Sequence, residues 1–263
     1  MKSNNPAADG RDAAWRVALR DAMPAKERTA IPRVKMPELS PEVRVTNFEE
    51  VNRGLTPEQA LTESTRCLDC PDPQCVTGCP VAIDIPGFIK NIQRGDLPEA
   101  AHVLRLTSAL PAVCGRVCPQ EKQCESKCIY NRMKKPPVAI GYLERFAADS
   151  QSENVADAPV PGPKDFKCKI AVAGSGPAGL SFAGDMASRG YDVTVFEALH
   201  EIGGVLKYGI PEFRLPNRVV DVEIEALRRM GVKFVTDVVI GKTLSMERLE
   251  EMGFKGLFVG SGA

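Results

Sequence analysis

The stretch KIAVAGSGPAGL, residues 169–180, decides the fold of the C-terminal part of this chain. It begins with a short apolar run typical of a buried β-strand and continues with three glycines in the G-x-G-x-x-G frame. The first glycine of that frame permits a tight turn, the second lets the backbone approach a pyrophosphate, and the third lets the next helix pack closely on the strand. The frame predicts a dinucleotide site with these cofactor-binding residues: Gly174, Gly176, Pro177, Ala178 and Gly179.

The residues after this turn supply the context that a lone glycine frame lacks. A helix over 178–188 would direct its N-terminal amides at the phosphates, and YDVTVFE (191–197) is a second strand. That strand ends in Glu197, which is well placed to accept hydrogen bonds from a ribose. Helix and strand patterns then alternate, with helices over 217–230 and 246–252 and strands over 232–240 and 256–260. The order predicts a Rossmann-like α/β domain.

Eight of the nine cysteines fall into two groups of four. The first group is CLDCPDPQCVTGCP (67–80) and the second is CGRVCPQEKQCESKC (114–128). The spacing of the first group is close to the bacterial ferredoxin run, in which three thiolates hold one iron-sulfur cluster and the fourth, before proline, reaches another. The pattern therefore predicts two clusters that take ligands from both groups.

Other uses of these cysteines fit less well. A structural zinc site needs only four ligands, usually in two short hooks. A disulfide framework needs an oxidising compartment, whereas the chain starts without the basic and apolar segments of a secretory signal. We therefore expect a cytoplasmic protein with reduced thiols, in which soft thiolates favour iron-sulfur clusters. Cys168 stands alone beside a predicted strand and is expected to be a small buried hydrophobe.

Composition excludes several classes of partner. The 263 residues, 43% of them hydrophobic, are enough for about two domains with ordinary cores. Lysine and arginine balance aspartate and glutamate at 34 each, so no basic footprint indicates nucleic-acid binding. No apolar stretch approaches the ~20 residues needed to cross a bilayer, so membrane insertion is not expected.

A change in composition marks the predicted domain boundary. Residues 151–166 are rich in proline and in small polar residues, as in an exposed linker. Residues 1–150 are predicted to form a helical domain carrying two 4Fe-4S clusters, with helices over 56–63, 85–93, 97–106 and 140–148. Residues 167–263 carry the Rossmann-like pattern and are predicted to be the first part of a dinucleotide-binding α/β domain.

With these motifs together, the chain resembles a family from about residue 47 to its last residue. The family comprises the small subunit of NADPH-dependent glutamate synthase, the FAD subunit of NADH-dependent ferredoxin:NADP oxidoreductase, sulfide dehydrogenase, and the N-terminal part of dihydropyrimidine dehydrogenase. The resemblance rests on the two cysteine groups, on GSGPAGL (174–180), and above all on EIGGVLKYGIPEFRLP (201–216). The last motif lies along the flavin in that family. The resemblance therefore implies that residues 167–263 are the first part of an FAD-binding α/β domain, with these additional cofactor-binding residues: Gly203, Gly204, Leu206 and Tyr208.

The resemblance also implies how the clusters are bound. One cluster would take Cys67, Cys70, Cys75 and Cys128, and the other would take Cys79, Cys118 and Cys124. In relatives the fourth ligand of the second cluster is a Glu or Gln on the helix after the second cysteine group, which implies Glu144 here. An isolated glutamate on an amphipathic helix is usually solvated, so Cys114 remains an alternative.

The implied function is electron transfer from NAD(P)H through FAD to the clusters. The last residues, FVGSGA (258–263), resemble the point where the family's chain enters an inserted NADPH domain, so the sequence is expected to stop before that domain. Glutamate synthase is the leading identity, with a large catalytic subunit as partner. The alternatives are a ferredoxin:NADP oxidoreductase with a ferredoxin-linked partner, and an electron-transfer or docking module without turnover of its own. No hydrolytic set of residues is evident, and no individual catalytic residue is predicted.

Overall fold

The computed structural model describes residues 10–152 and 168–262. They form two compact units: the first contains residues 10–46 and 51–152, and the second contains residues 47–50 and 168–262. The predicted linker lies outside the described residues except for its first two positions, which continue a helix. Within the described ranges, no helix is both long and apolar enough to span a membrane.

The first unit is built from α-helices and short 3-10 turns joined by loops. The α-helices are α1 (Ala14–Ala22), α2 (Ala25–Arg28), α3 (Pro41–Arg44), α4 (Pro57–Arg66), α5 (Gln74–Thr77), α6 (Ile85–Gln93), α7 (Leu97–Arg105), α8 (Pro111–Val117) and α9 (Ile140–Ser152). The 3-10 turns are Gln120–Lys122, Glu125–Lys127 and Ile129–Met133. The four helices predicted from the sequence are confirmed as α4, α6, α7 and α9, with ends that differ by a few residues.

Local capping explains where the predicted helices begin. At α4 the Thr56 hydroxyl accepts from the Gln59 amide N–H at 3.3 Å, and the Gln59 side chain accepts from the Thr56 N–H at 2.9 Å. This reciprocal pair is a capping box, with proline at the first helical position. Asp84 caps α6 in a simpler way, by accepting from the Gly87 N–H at 3.0 Å.

The core of the first unit lies between α6, α7 and α9, where Phe88, Leu104 and Leu143 are fully buried. Helix α8 packs very closely on α9. A Cβ atom at Gly115 would lie 2.6 Å from the backbone nitrogen of Arg145. Only glycine allows this approach, which brings the end of α8 against the helix that carries Glu144.

The second unit contains a four-stranded parallel sheet in the order β3-β2-β1-β4. The strands are β1 (Lys169–Ala173), β2 (Asp192–Phe196), β3 (Lys233–Val235) and β4 (Phe254–Val259). The helices of this unit are α10 (Pro177–Ser188), α11 (Val205–Tyr208), α12 (Asn217–Arg229) and α13 (Met246–Glu251). Because β1 is flanked by β2 and β4, the strand order reverses there, and such switch points bind ligands beyond the carboxyl ends of the strands.

One predicted strand is wrong in extent. The run 232–240 was expected to be continuous, whereas β3 ends at Val235. Asp237 has a φ of +60°, a left-handed conformation that cannot continue a strand. The chain then turns so that the Val238 N–H donates to the Glu197 carbonyl at 2.9 Å. This bend brings residues after β3 beside the end of β2.

Candidate cofactor sites

One cavity of the first unit is lined by cysteines from both groups. Cys67 directly follows α4, Cys70 lies in the next loop, Cys75 lies in α5, and Cys128 lies between two 3-10 turns. All four line a cavity of about 330 Å³, together with apolar side chains such as Ile89. These are the four cysteines that the family resemblance assigns to one cluster. Four thiols on one cavity wall are the donor set that iron-sulfur clusters take.

The ionisation of these thiols reflects their crowding. Burial raises the pKa of Cys70 to about 11, and the neighbouring Cys67 and Cys128 thiols add to the rise. The pKa of Cys75 is raised further, again by burial first and then by the other three thiols. Thiols must lose their protons to bind iron, so the positive charge of the iron ions would have to offset the cost of ionising these crowded thiols.

Several predicted ligands of the second cluster also lie close to one another. Burial raises the pKa of Cys124 to about 12, followed by the effects of the Glu144 and Glu125 carboxylates and, more weakly, of Cys79. The Cys114 thiol donates a hydrogen bond to Cys118, which lowers the pKa of Cys118 to about 7 despite its burial.

Both candidates for the fourth ligand therefore lie at this set. Cys114 is hydrogen-bonded to Cys118, and Glu144, only 6% exposed, acts electrostatically on Cys114 and Cys124. The structure brings both candidates to the site, and the choice between them stays a prediction.

In the part of the chain that the structure describes, no group of three or more His, Cys, Asp and Glu side chains is close enough together to hold a single metal ion. In a four-iron cluster each thiolate binds its own iron, so the ligand sulfurs stand farther apart than around one ion.

The glycine frame of the second unit has the predicted form. Gly174 has a φ of +98°, and a Cβ there would lie 2.4 Å from the carbonyl oxygen of Gly260. A Cβ at Gly179 would lie 2.0 Å from the carbonyl oxygen of Gly174, so this glycine permits close helix packing. A Cβ at Gly176 would meet no atom within 4 Å. The first and third glycines are thus required by the protein itself, whereas the space beside the second is open.

A groove of about 1250 Å³ extends from this turn across the carboxyl ends of the strands. Seven of the ten predicted cofactor-binding residues line it: Gly174, Gly176, Pro177, Ala178, Glu197, Gly204 and Tyr208. Gly179, Gly203 and Leu206 do not, and Leu206 is 3% exposed, within the core. The groove also includes Leu199, Val205, Met246 and residues 238–241, which the sequence analysis missed. Residues 238–241 follow β3, and the carboxyl ends of neighbouring parallel strands lie at the same edge of a sheet. That rule could have placed these residues beside the glycine turn.

Glu197 is held by the protein at the edge of this groove. Its carboxylate accepts from the Ser175 N–H at 2.8 Å, the Ser175 hydroxyl at 2.5 Å and the Leu199 N–H at 2.9 Å. Burial alone would raise the pKa of Glu197, but these hydrogen bonds outweigh it and hold the pKa below its ordinary value. The backbone of Ala198 also contributes to this lowering, so donors from Ser175, Ala198 and Leu199 together hold the carboxylate at the edge of the groove.

Ser175 joins three segments around the turn. Besides donating to Glu197, its hydroxyl accepts from the Gly203 N–H at 2.9 Å. Gly204 follows with a φ of +51°, and a Cβ there would lie 2.8 Å from the Cα atom of Gly176. The loop that begins EIGG is therefore fastened to the glycine turn. Sequence analysis missed this role of Ser175, because a serine between two glycines carries no pattern of its own.

Comparison with known proteins bears on both units. Residues 44–156 match the family model described as dihydropyrimidine dehydrogenase domain II, 4Fe-4S cluster, and residues 172–233 match that of an NAD(P)-binding Rossmann-like domain. The chain is 41% identical over 203 residues to the NAD-dependent dihydropyrimidine dehydrogenase subunit PreT of Escherichia coli O157:H7, covering 77% of this chain and 49% of that protein. It is 35% identical over 230 residues to the glutamate synthase [NADPH] small chain of Escherichia coli strain K12, covering 88% and 48%.

The chain belongs to the family that contains these two proteins. The resemblance inferred from the motifs is thus confirmed. The family relationship assigns a 4Fe-4S domain to the first unit and a Rossmann-like, NAD(P)-binding type of domain to the second. The chain spans about half the length of the PreT and glutamate synthase relatives that it matches.

Proposed function

We propose that this chain is the electron-input part of an oxidoreductase, in which NAD(P)H reduces FAD and two 4Fe-4S clusters carry the electrons onward. The observation that carries the proposal is the cavity in which Cys128, from the second cysteine group, joins Cys67, Cys70 and Cys75 from the first. A bound flavin takes two electrons as hydride from a nicotinamide and can release them singly to iron-sulfur clusters. The residues of this chain hold and orient the two kinds of cofactor.

In the first unit, the two ligand sets are Cys67, Cys70, Cys75 and Cys128, and Cys79, Cys118 and Cys124 with Glu144. The thiolates would neutralise the iron, and the apolar wall of the first cavity, including Ile89 and Ile140, would limit access of water. Such shielding is one of the properties that set a cluster's potential.

In the second unit, the open space at Gly176 admits a pyrophosphate to the start of α10, whose first backbone amides would donate to it. Glu197 lines the groove beside this turn and would accept a ribose hydroxyl there. A carboxylate at this place disfavours a ribose that carries a 2′-phosphate, because two negative groups would meet. This favours FAD or NAD over NADP at this site. The loop 203–208, fastened to the turn through Ser175, supports FAD on the strength of the family resemblance.

The electron acceptor and the NAD(P)H site are proposed to involve other parts of the protein or its partners. The relatives are named as a subunit and a small chain, which supports a partner subunit for this chain. The names of these relatives support two candidates for the enzyme that receives the electrons: a glutamate synthase and a dihydropyrimidine dehydrogenase. Copurification of the native protein with its partner would distinguish them.

Metal content tests the first unit. Protein prepared without oxygen should contain about eight irons and eight acid-labile sulfides per chain if both clusters are of the four-iron type. Cys128→Ser should lose about half of both. Cys168→Ser is the matched control, because this cysteine lies directly before β1 in the second unit, and it should keep the full content. Stoichiometric zinc without sulfide would reject the proposal.

Ligand binding tests the second unit. FAD, NADH and NADPH are added separately to flavin-free protein, and we expect FAD to bind most tightly. Preferential binding of NADPH would show that the site was assigned to the wrong dinucleotide.

A further inference from the structure

Four basic side chains surround the loop that carries Cys67 and Cys70. We call them the basic collar: Arg16, Arg20, Arg28 and Lys90. Three of them are buried, with exposed fractions of 3% for Arg16, 2% for Arg28 and 0% for Lys90. Lysine and arginine are almost never fully buried unless a partner compensates their charge. Negative charge is therefore expected close to the collar.

One carboxylate accounts for part of it. Asp69, which is fully buried, accepts hydrogen bonds from Arg16 and from the Arg20 Nη1 atom, the latter at 2.6 Å. The Arg11 side chain also donates to the Asp69 backbone carbonyl, at 2.7 Å. The residue lies between Cys67 and Cys70 and has a φ of +52°. These contacts attach helix α1 to the cysteine loop.

The other two cations donate to neutral oxygens in the contacts resolved among the described residues. Lys90 Nζ donates to the Cys67 carbonyl at 2.5 Å and to the Gln93 side chain at 2.7 Å. Arg28 donates to the Thr65 carbonyl at 2.8 Å and lies 3.4 Å from the Cys67 carbonyl. Lys90 and Arg28 therefore bring positive charge to the backbone of a predicted cluster ligand through neutral oxygens, beside the ion pairs that Arg16 and Arg20 make with Asp69.

The positive charge of Lys90 and Arg28 has a natural counterpart. Burying cations without counter-charge is strongly unfavourable, and hydrogen bonds to carbonyls offset only part of the cost. A four-iron cluster bound by four thiolates is negative overall, and reduction adds one more negative charge. Positive charge held in a buried, weakly screened position stabilises the reduced form more than the oxidised form.

We propose that the basic collar raises the reduction potential of the cluster held by Cys67, Cys70, Cys75 and Cys128. The inference rests on the proposed function, in which this set binds a cluster. It also gives a role to the N-terminal segment, because Arg16, Arg20 and Arg28 precede residues 44–156, which match the 4Fe-4S family model. Lys90 and Arg28 contact the Cys67 carbonyl, and Arg16 and Arg20 contact Asp69 in the same loop. None of the four is a predicted ligand, so the collar would tune the cluster without binding it.

The test is a pair of variants with opposite expected signs. Lys90→Met removes a buried positive charge at similar size, and the cluster should become harder to reduce. Asp69→Asn removes the negative charge, and the cluster should become easier to reduce. Asparagine tolerates the left-handed backbone at this position, so the loop should keep its conformation. A purely structural collar would not produce opposite shifts.

The measurement is an EPR-monitored redox titration of the whole protein under anaerobic conditions. We expect each variant to change the one-electron equilibrium constant of this cluster about tenfold, which corresponds to 59 mV. The second cluster is the internal control and should move much less. Lys26→Met is the matched control, because Lys26 is an exposed lysine on α2 and its charge is screened by solvent.

The outcomes separate this inference from the proposed function. Absence of iron and sulfide from the native protein would reject both. An intact cluster whose potential is unchanged, or moves in the same direction, in Lys90→Met and Asp69→Asn would overturn the inference alone. Should Lys90→Met fail to keep its cluster, Arg20→Gln replaces it, because Arg20 is partly exposed and should tolerate substitution; a lowered potential supports the collar and an unchanged one overturns it.

Discussion

The Gly176→Val variant distinguishes the effect of this position on folding from its effect on FAD binding. Gly176 has a φ of −67°, which any residue can adopt, and a Cβ there would meet no atom within 4 Å. The fold should therefore tolerate valine at the cost of a poorer helix cap, about 1 kcal/mol. For a domain of this size that corresponds to a fall in melting temperature of about 4–8 °C.

The expected effect on FAD binding is larger. Valine would enter the groove that Gly176 lines and displace a pyrophosphate from the first amides of α10. A hydrogen bond to a charged group contributes about 1.5–3 kcal/mol. Loss of one such bond would weaken FAD binding by about 10- to 100-fold, and loss of two would weaken it much further.

Two measurements on the same preparations check this prediction: thermal unfolding, and titration of flavin-free protein with FAD followed by flavin fluorescence. Gly179→Val is the matched control, because its Cβ would lie 2.0 Å from the Gly174 carbonyl oxygen and should disrupt the unit itself. FAD affinity that is undiminished in a folded Gly176→Val protein would refute the assignment of the site. A Gly176→Val protein as unstable as Gly179→Val would refute the claim that the fold has space for a side chain at position 176.

Three further predictions concern single groups. Glu144→Ala should alter the EPR signal of the second cluster or cost it an iron, whereas Cys114→Ser should leave both signals intact; the reverse result would favour the all-thiolate set. Ser175→Ala should lower the free energy of unfolding in urea by about 1–3 kcal/mol, because it removes hydrogen bonds from a buried network, while the exposed Ser188→Ala should change it little. The pKa of Glu197 is held below its ordinary value, so its contribution to stability is present above about pH 4 and is lost as the pH falls through the folded pKa. Glu197→Gln should therefore flatten the acid limb of a stability–pH curve, and an unchanged limb would contradict this.

Features encoded by local sequence were predictable in this protein. The glycine frame, the helix that begins after Thr56 and the apolar runs of β1 and β2 are each set by neighbouring residues. The tasks of the glycines follow from backbone geometry alone, and the structure has the expected close contacts at Gly174 and Gly179. Only the family resemblance predicted which cysteines of the two groups bind the same cluster. The spacing indicates that both groups supply ligands, but it does not indicate which cysteines share a cluster.

Features made by distant residues were not predictable. Arg16 and Asp69 are 53 residues apart, and neither belongs to a periodic pattern that would show the pair. The basic collar was therefore invisible in a sequence with balanced charge. Similarly, the early end of β3 follows from the backbone of Asp237, although the residues of 232–240 favour an uninterrupted strand.

The cavity that joins Cys67 to Cys128 has a consequence for how the first unit folds. A cluster bound there would act as a cross-link that closes a loop of about 60 residues. By the chain-entropy model for cross-links, a closure of that length removes conformational freedom from the unfolded chain equivalent to about 4 kcal/mol. Assembly of the cluster and folding of the helices around it would then be one coupled equilibrium. Oxidative loss of the iron would consequently expose the unit to unfolding and proteolysis, as well as ending electron transfer.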